Sequence, residues 1–225
     1  MNDNEKVVGF AIDSDEIVGG GGFLALRRLR MRNRRADGSL SAGYVCDSVV
    51  RPYGQDAVIV AVFARDASGI RVLVREGLRP AYTLGRDPAA APLPETAPGM
   101  FITELVAGII ETGDHGEAGL RERAAHEVHE EAGFVVDPAR VMLLGAGMAP
   151  APGILNEKFY FTAVEVDPAA QGPLVGDGSP MEDGATTRWL GLDEVIAGCV
   201  RGDICDLKTE AALRRLRDAL AATSR

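Results

Sequence analysis

Three glutamates at helical spacing are the residues of this sequence best suited to chemistry. Glu127, Glu130 and Glu131 stand at positions i, i+3 and i+4, which places their carboxylates on one helix face within reach of one another. Like charges this close repel unless basic residues intervene or a divalent cation binds between them. Oxygen ligands suit Mg²⁺, with Mn²⁺ as the alternative ion. A solvated acidic helix face is the ordinary alternative for this cluster taken alone.

The helix that carries these glutamates is predicted over residues 119–132. Ala124, Ala125 and Val128 fall on one side at helical spacing, charged residues fall on the other, and Gly133 ends the pattern. The carboxylates therefore lie on a helix whose opposite side packs into a core.

Strands are predicted on both sides of this helix. Near-continuous apolar runs at residues 57–63 and 70–74 indicate buried strands of a mixed sheet. Further strand patterns occupy 101–107, 141–144, 158–166 and 187–190, and helical patterns lie near 192–199 and 207–222. The proline-rich residues 82–99 and the glycine-rich residues 172–184 are predicted to be surface loops. Together these elements predict an α/β domain.

A small β segment is predicted before this domain, so that residues 1–52 form the leading segment and residues 53–225 the main domain. The Asp37-Gly38 turn between two strand-like runs indicates a hairpin. Four arginines of the first run share one parity, and we interpret their common face as solvated rather than phosphate-binding. They are Arg28, Arg30, Arg32 and Arg34.

Composition excludes several classes of function. The net charge of −9 disfavours a nucleic-acid partner, because a polynucleotide backbone would be repelled. The first residues lack the build of a signal peptide and no apolar run is long enough for a membrane span, so we expect no membrane partner and a cytoplasmic location. Cys46, Cys199 and Cys205 have neither disulfide nor zinc-site spacing.

The helix glutamates also belong to a longer pattern, which resembles the Nudix box G-x5-E-x7-R-E-U-x-E-E-x-G-U, where U is aliphatic or aromatic. Residues 126–134 match its second half, and residues 108–114 match its first half with Asp114 in the glutamate position. Eleven residues instead of seven separate Asp114 from His126, and we expect the four extra residues in the connecting loop. His126 replaces an arginine that in the family pairs with an acidic residue and orients the carboxylates.

The chain from about Phe23 to Leu216 is similar to one branch of that family, the ADP-ribose and nucleoside-diphosphate-sugar pyrophosphatases. Residues 72–81 resemble its strand that ends in a substrate-facing arginine, residues 104–108 its E-x-x-A-G entry to the box, and residues 151–157 its S-P-G-x-x-x-E loop. The positions that this resemblance assigns to substrate binding are Arg75, Arg79, Glu104, Pro152 and Glu157.

The same resemblance implies a metal site and a catalytic base. It assigns the metal to the helix glutamates and to the backbone carbonyl of the residue before the box glycine. The metal ligands expected on this basis are Ala107, Glu127, Glu130 and Glu131. Glu182 in the late loop is the expected catalytic base, with Asp183 in reserve and Glu130 close to the chemistry. A solvent-exposed acid is the alternative for either loop residue.

The resemblance implies an α/β/α Nudix sandwich with a mixed sheet, preceded by a small N-terminal β domain. It further implies a homodimer in which the leading segment contributes to the partner's pocket. The expected reaction is Mg²⁺-dependent hydrolysis of a nucleoside diphosphate sugar, with ADP-ribose giving AMP and ribose 5-phosphate. The alternatives are a hydrolase of UDP-glucose or GDP-mannose and a nucleotide-sugar-binding regulator without turnover.

Overall fold

The computed structural model describes residues 5–51, 54–67, 69–85, 87–95 and 99–223. The chain divides into two compact units. The first comprises Met1–Gln55 and Ala149–Lys158, and the second comprises Asp56–Met148 and Phe159–Arg225. The predicted boundary between residues 52 and 53 lies outside the described residues.

The first unit contains a three-stranded antiparallel sheet of β1 (Val7–Gly19), β2 (Ala25–Arg35) and β3 (Tyr44–Val50), in that order. The predicted hairpin is formed by β2 and β3, and Gly38 takes a left-handed backbone with φ 84° in the connection between them. Strand β1 was not predicted. Its pairing with β2 is shifted at three irregularities, which interrupt the two-residue alternation that identifies a strand in a sequence.

Arg28 and Arg32 of β2 pair with acids on neighbouring strands. Arg28 donates to Asp47 at 2.6 and 2.8 Å, and Arg32 donates to Asp13 at 3.0 Å. All four of these side chains are at least one-third exposed. These ion pairs agree with the interpretation of a solvated, charged surface.

The second unit is built on a mixed seven-stranded sheet. Its strands are β4 (Ala57–Asp66), β5 (Gly69–Leu78), β6 (Phe101–Glu104), β7 (Val106–Ile109), β8 (Met142–Leu143), β9 (Phe159–Glu165) and β10 (Thr186–Gly191). Their order is β10-β5-β4-β9-β8, with β6 also paired to β5 and β7 to β4. Only the β4–β9 pair is parallel among the described strands. The strand predicted at 101–107 is therefore two strands, divided at Leu105.

The helices of this unit are α1 (Pro80–Gly85), α2 (Gly116–Ala132), α3 (Leu192–Arg201) and α4 (Leu207–Thr223). Helix α1 overlaps the loop predicted at 82–99, so that prediction is wrong for residues 82–85. A proline at the first helical position explains the start of α1, because its fixed φ suits the helix and its missing N–H is not needed there. Residues 86 and 96–98 of the predicted loop lie outside the described residues.

The sheet lies between two layers of helices, and an apolar core fills the space on each face of the sheet. Val58, Val60 and Val62 pack with the apolar side of α2, whereas the alternate residues Ile59 and Phe63 pack with α3 and α4. A strand buried on both faces reads as a continuous apolar run, as β4 does. The predicted α/β/α arrangement with a mixed sheet is therefore confirmed.

The described residues include no helix that combines the length and the apolar character needed to cross a membrane.

Candidate functional site

Helix α2 presents the carboxylates, and it begins earlier than predicted. It starts at Gly116, directly after its N-cap His115, and ends at Gly133, whose φ of 74° is left-handed. Only His115 separates Asp114 from the helix. The expectation that the four extra residues lie in a connecting loop is therefore wrong. They lengthen the helix at its N-terminal end by about one turn, since a turn contains about 3.6 residues.

Arg123, about two turns into this helix, was missed by the sequence analysis. Its Nε lies 2.8 Å from Asp114 Oδ2, one terminal nitrogen lies 3.0 Å from Glu111 Oε1, and the other lies 3.8 Å from Glu127 Oε1. Burial opposes ionisation of Asp114, yet Arg123 and the Glu111 amide hold the pKa of Asp114 below its ordinary value. Arg123 thus makes the contacts that the resemblance expected from the position of His126.

Glu127 is the buried member of the acidic cluster, with 8% of its surface exposed. Its carboxyl group lies where a Cβ on Gly108 would be, so a larger residue at position 108 would displace the carboxyl from this position. Burial and repulsion from Glu130 raise the pKa of Glu127 to about 7, and Arg123 only partly offsets them. Without a bound cation, ionisation of Glu127 therefore destabilises the folded protein.

Glu131 is held by the sheet. One of its carboxylate oxygens pairs with Arg75, and the other accepts the backbone N–H of Ala107 at 3.0 Å. The structure thus brings three predicted residues together from β5, β7 and α2. Both oxygens of Glu131 are engaged, so its first effect is to fix the helix against the strands.

Glu130 connects the helix to the late loop. Its backbone carbonyl accepts the N–H groups of Val175 and Gly176 at 3.2 and 3.1 Å. Its carboxylate lies 3.1 Å from Nδ1 of His126, whose side chain is 56% exposed. The loop that carries the predicted base therefore begins against helix α2.

Glu182 lies beside Arg75 within that loop. Its Oε1 is 3.7 Å from a terminal nitrogen of Arg75, and its Oε2 accepts the N–H of Asp177 at 2.6 Å. A short 3₁₀ turn, Pro180–Glu182, shapes this part of the loop. The conformation described holds Glu182 beside Arg75.

A cleft of about 320 Å³ lies among these groups. Arg75, Glu130, Glu131, Glu182 and Asp183 all line it. Arg75 is 4% exposed, and burial lowers its pKa. Both candidate loop acids thus face the same cavity as the helix glutamates, which is the arrangement expected for a base and a metal site that act on one substrate.

Glu104 and Arg79 form a second buried ion-pair group. Glu104, 1% exposed, pairs with Arg79 at 2.5 Å and with the ammonium of Lys208 at 2.7 Å. Lys208 comes from α4, 104 residues away, and no local pattern in the sequence marks it. Because two cations occupy the Glu104 carboxylate, its effect on a ligand would be to position Arg79, whose side chain is 38% exposed.

Pro152 and Glu157 belong to the first unit. Pro152 lies in a turn, and Glu157 pairs with Arg51 with both side chains largely buried. Their assignment to substrate binding stays a prediction.

The residues present fit a divalent cation. His126, Glu127 and Glu130 each offer a donor atom, and these three atoms lie within 4.8 Å of one another. Glu127 adds a buried charge for which Arg123, at 3.8 Å, is an incomplete counterion. A cation between these donors would remove the repulsion that raises the pKa of Glu127.

Known proteins resemble this chain in structure. No family model matches it, and no curated protein does. A solved structure described as an ADP compounds hydrolase matches with a TM-score of 0.68 over 98% of each chain, at 15% identity.

Two further solved structures are similar at lower scores. A C. elegans Ap4A hydrolase binary complex matches at TM-score 0.44 and 13% identity, covering 74% of this chain and 98% of that one. The NUDIX domain of Shewanella oneidensis NrtR with ADP ribose matches at TM-score 0.48 and 14% identity, covering 74% and 88%. The match of the first structure over nearly the whole of both chains shows that this chain has a Nudix-type α/β/α fold with a leading antiparallel sheet, as predicted.

Proposed function

We propose that this protein is a divalent-cation-dependent hydrolase of the diphosphate bond in a nucleoside diphosphate sugar, with ADP-ribose as its leading substrate. The observation that carries the proposal is that Glu130, Glu131 and Glu182 line one cleft beside Arg75. The buried Glu127 lies next to Glu130. The similar structure is described as an ADP compounds hydrolase, which supports this class of substrate. The products from ADP-ribose would be AMP and ribose 5-phosphate.

The chemistry accounts for the residue types. A diphosphate carries negative charge on both sides of the bond to be broken, so an attacking anion is repelled. Mg²⁺ or Mn²⁺ held by Glu127 and Glu130, with Glu131 and the Ala107 carbonyl as further candidate ligands, would neutralise phosphate oxygens and lower the pKa of the attacking water.

Other residues of the chain accept the proton and bind the substrate. Glu182 accepts the proton of the attacking water, because its carboxylate faces the cleft and is 20% exposed, with Asp183 as the reserve base. Arg75 and Arg79 bind phosphate or sugar oxygens by charge-assisted hydrogen bonds. Glu104 and Lys208 restrain Arg79 from behind.

The proposal includes a cytoplasmic homodimer assembled through residues 1–52. Strand β1 leaves Val8, Phe10 and Ile12 between 58% and 61% exposed. Apolar side chains grouped on one strand are typical of an interaction surface. Light scattering should give the mass of a dimer at micromolar concentration, and Phe10→Asp should shift it to a monomer. A wild-type monomer at that concentration would refute this part.

A substrate panel read by phosphate or nucleotide release, run with Mg²⁺ and with chelator, tests the activity. We expect cation-dependent turnover of ADP-ribose, and loss of most turnover in Glu127→Gln. The matched control is Glu122→Gln, which changes an exposed acid of the same helix. Preference for UDP-glucose or GDP-mannose would reassign the substrate, and saturable binding without turnover would make the protein a regulator.

A further inference from the structure

We infer that Arg75 is a positioning residue whose buried guanidinium bridges Glu131 of α2 and Glu182 of the late loop, and thereby fixes the base at the cleft. The inference rests on the proposed function, because that proposal makes Glu182 the base and Arg75 a ligand of the substrate. It goes further by assigning Arg75 a second role, which it performs before any substrate binds.

The first observation is the set of contacts that holds the guanidinium of Arg75, a residue that is 4% exposed. One terminal nitrogen pairs with Glu131, and the other lies 3.7 Å from Oε1 of Glu182. The Nε of Arg75 has no hydrogen-bond partner among the described residues, so two carboxylates from different elements hold this group through its terminal nitrogens. A buried charge is costly without partners, and loss of either carboxylate would leave part of this charge uncompensated.

A third carboxylate lies close to Arg75 but is engaged elsewhere. Glu104 stands directly opposite Arg75 in the pairing of β6 with β5. Its carboxylate pairs with Arg79 and with Lys208. The second terminal nitrogen of Arg75 is therefore left to Glu182. The position of Glu182 beside Arg75 stabilises the buried guanidinium while it places the base.

The second observation is how Glu182 is connected to its own loop. Its Oε2 accepts the backbone N–H of Asp177 at 2.6 Å. Gly176, with a left-handed φ of 64°, leaves room for this approach, because a Cβ there would lie 2.5 Å from the same oxygen. The Glu182 carboxylate therefore joins Arg75 to the loop backbone, and a change that removes the guanidinium should release the N–H of Asp177.

A separate set of contacts ties the start of the loop to helix α2. The N–H groups of Val175 and Gly176 donate to the backbone carbonyl of Glu130 at 3.2 and 3.1 Å. These hydrogen bonds involve no side chain, so they do not depend on Arg75. Removal of the guanidinium should therefore free the loop from Asp177 onward and leave Val175 and Gly176 in place.

Hydrogen exchange at single amides of the full chain, measured by NMR without substrate, tests this distinction. In Arg75→Gln we expect the Asp177 amide to exchange about tenfold or more faster than in wild type, the size expected for loss of a charge-assisted interaction. The Val175 and Gly176 rates should change by less than about threefold, because their acceptor is unaffected. Arg71→Gln, which removes a partly exposed arginine of the same strand, is the matched control and should leave all three rates unchanged.

Arg75→Lys covers the case in which Arg75→Gln does not fold. Lysine retains a buried cation, but its single ammonium lacks the planar fork that reaches two carboxylates at once, so the Asp177 amide should exchange about threefold or more faster than in wild type. An Asp177 rate equal to that of wild type in a folded Arg75 variant would overturn the inference.

Steady-state kinetics separates positioning from binding. Because a misplaced base slows the chemical step, kcat of Arg75→Lys should fall by about tenfold or more while KM changes by less than about threefold. A higher KM with kcat and the Asp177 rate unchanged would overturn the inference and leave Arg75 as a ligand of the substrate alone. Absence of turnover by wild type with any cation would refute the proposed function instead, and the exchange rates would still test the bridge between Arg75 and Glu182.

Discussion

Replacing Glu127 by Gln should make the metal-free protein more stable while it removes activity. The pKa of Glu127 rises from 4.5 to about 7 on folding, chiefly because the carboxyl is buried and secondly because Glu130 repels it. A change of about 2.5 units at about 1.36 kcal/mol each corresponds to about 3 kcal/mol of destabilisation when the group is ionised. Gln has nearly the same shape and carries no charge, so it should recover most of this free energy.

The direction of the pH dependence follows from the sign of the shift. A carboxyl whose pKa is raised in the folded state favours folding below its unfolded pKa of 4.5, and this contribution is lost as the pH rises through about 7. The advantage of Glu127→Gln over wild type should therefore be largest, about 3 kcal/mol, near pH 8. It should fall below about 1 kcal/mol at pH 5, where wild-type Glu127 is largely protonated in the folded state.

Urea unfolding with chelator at pH 8 and pH 5 measures both values. Glu122→Gln, on the exposed side of α2, should match wild type within about 0.5 kcal/mol at each pH. If Glu127→Gln were no more stable than wild type at pH 8, or gained equally at both values, then the buried-charge account of this site would be wrong.

Three further substitutions test the groups around Glu127. Arg123→Gln should lower kcat by about 10²-fold with a smaller effect on KM, because the change displaces the carboxylates while Arg123 itself does not contact the substrate. Steady-state kinetics measures both constants, and an unchanged kcat would refute this role. Gly108→Ala should lower kcat by up to about 10²-fold, because its Cβ would displace the Glu127 carboxyl, whereas Gly113→Ala meets open space and should change kcat little. Glu182→Gln should lower kcat by about 10²–10⁴-fold with metal affinity retained, and Asp183→Asn should do less. A larger loss of kcat in Asp183→Asn than in Glu182→Gln would exchange the two roles. If neither substitution lowered kcat, proton transfer would belong to the glutamates of α2.

Sequence patterns located the parts of the site whose signals are local. The i, i+3, i+4 spacing of the glutamates and the apolar alanine face identified α2, and continuous apolar runs identified β4 and β5. Strand β1 and the cation Lys208 could not be found this way. The pairing irregularities of β1 remove its periodicity, and Lys208 reaches Glu104 only through the packing of α4.

The role of Arg123 was within reach of the sequence, had the insertion been placed in the helix instead of the loop. Residues four apart on a helix are neighbours on its surface, and Arg123 stands four before Glu127. At about 100° and 1.5 Å per residue, the two lie about 40° apart around the axis and about 6 Å apart along it, within the reach of an arginine. An arginine one position before Glu127 would instead lie about 100° away. One added turn therefore keeps a guanidinium beside the buried carboxylate while it moves the contact with Asp114 to the start of the helix, and position 126 is left to a side chain with different chemistry.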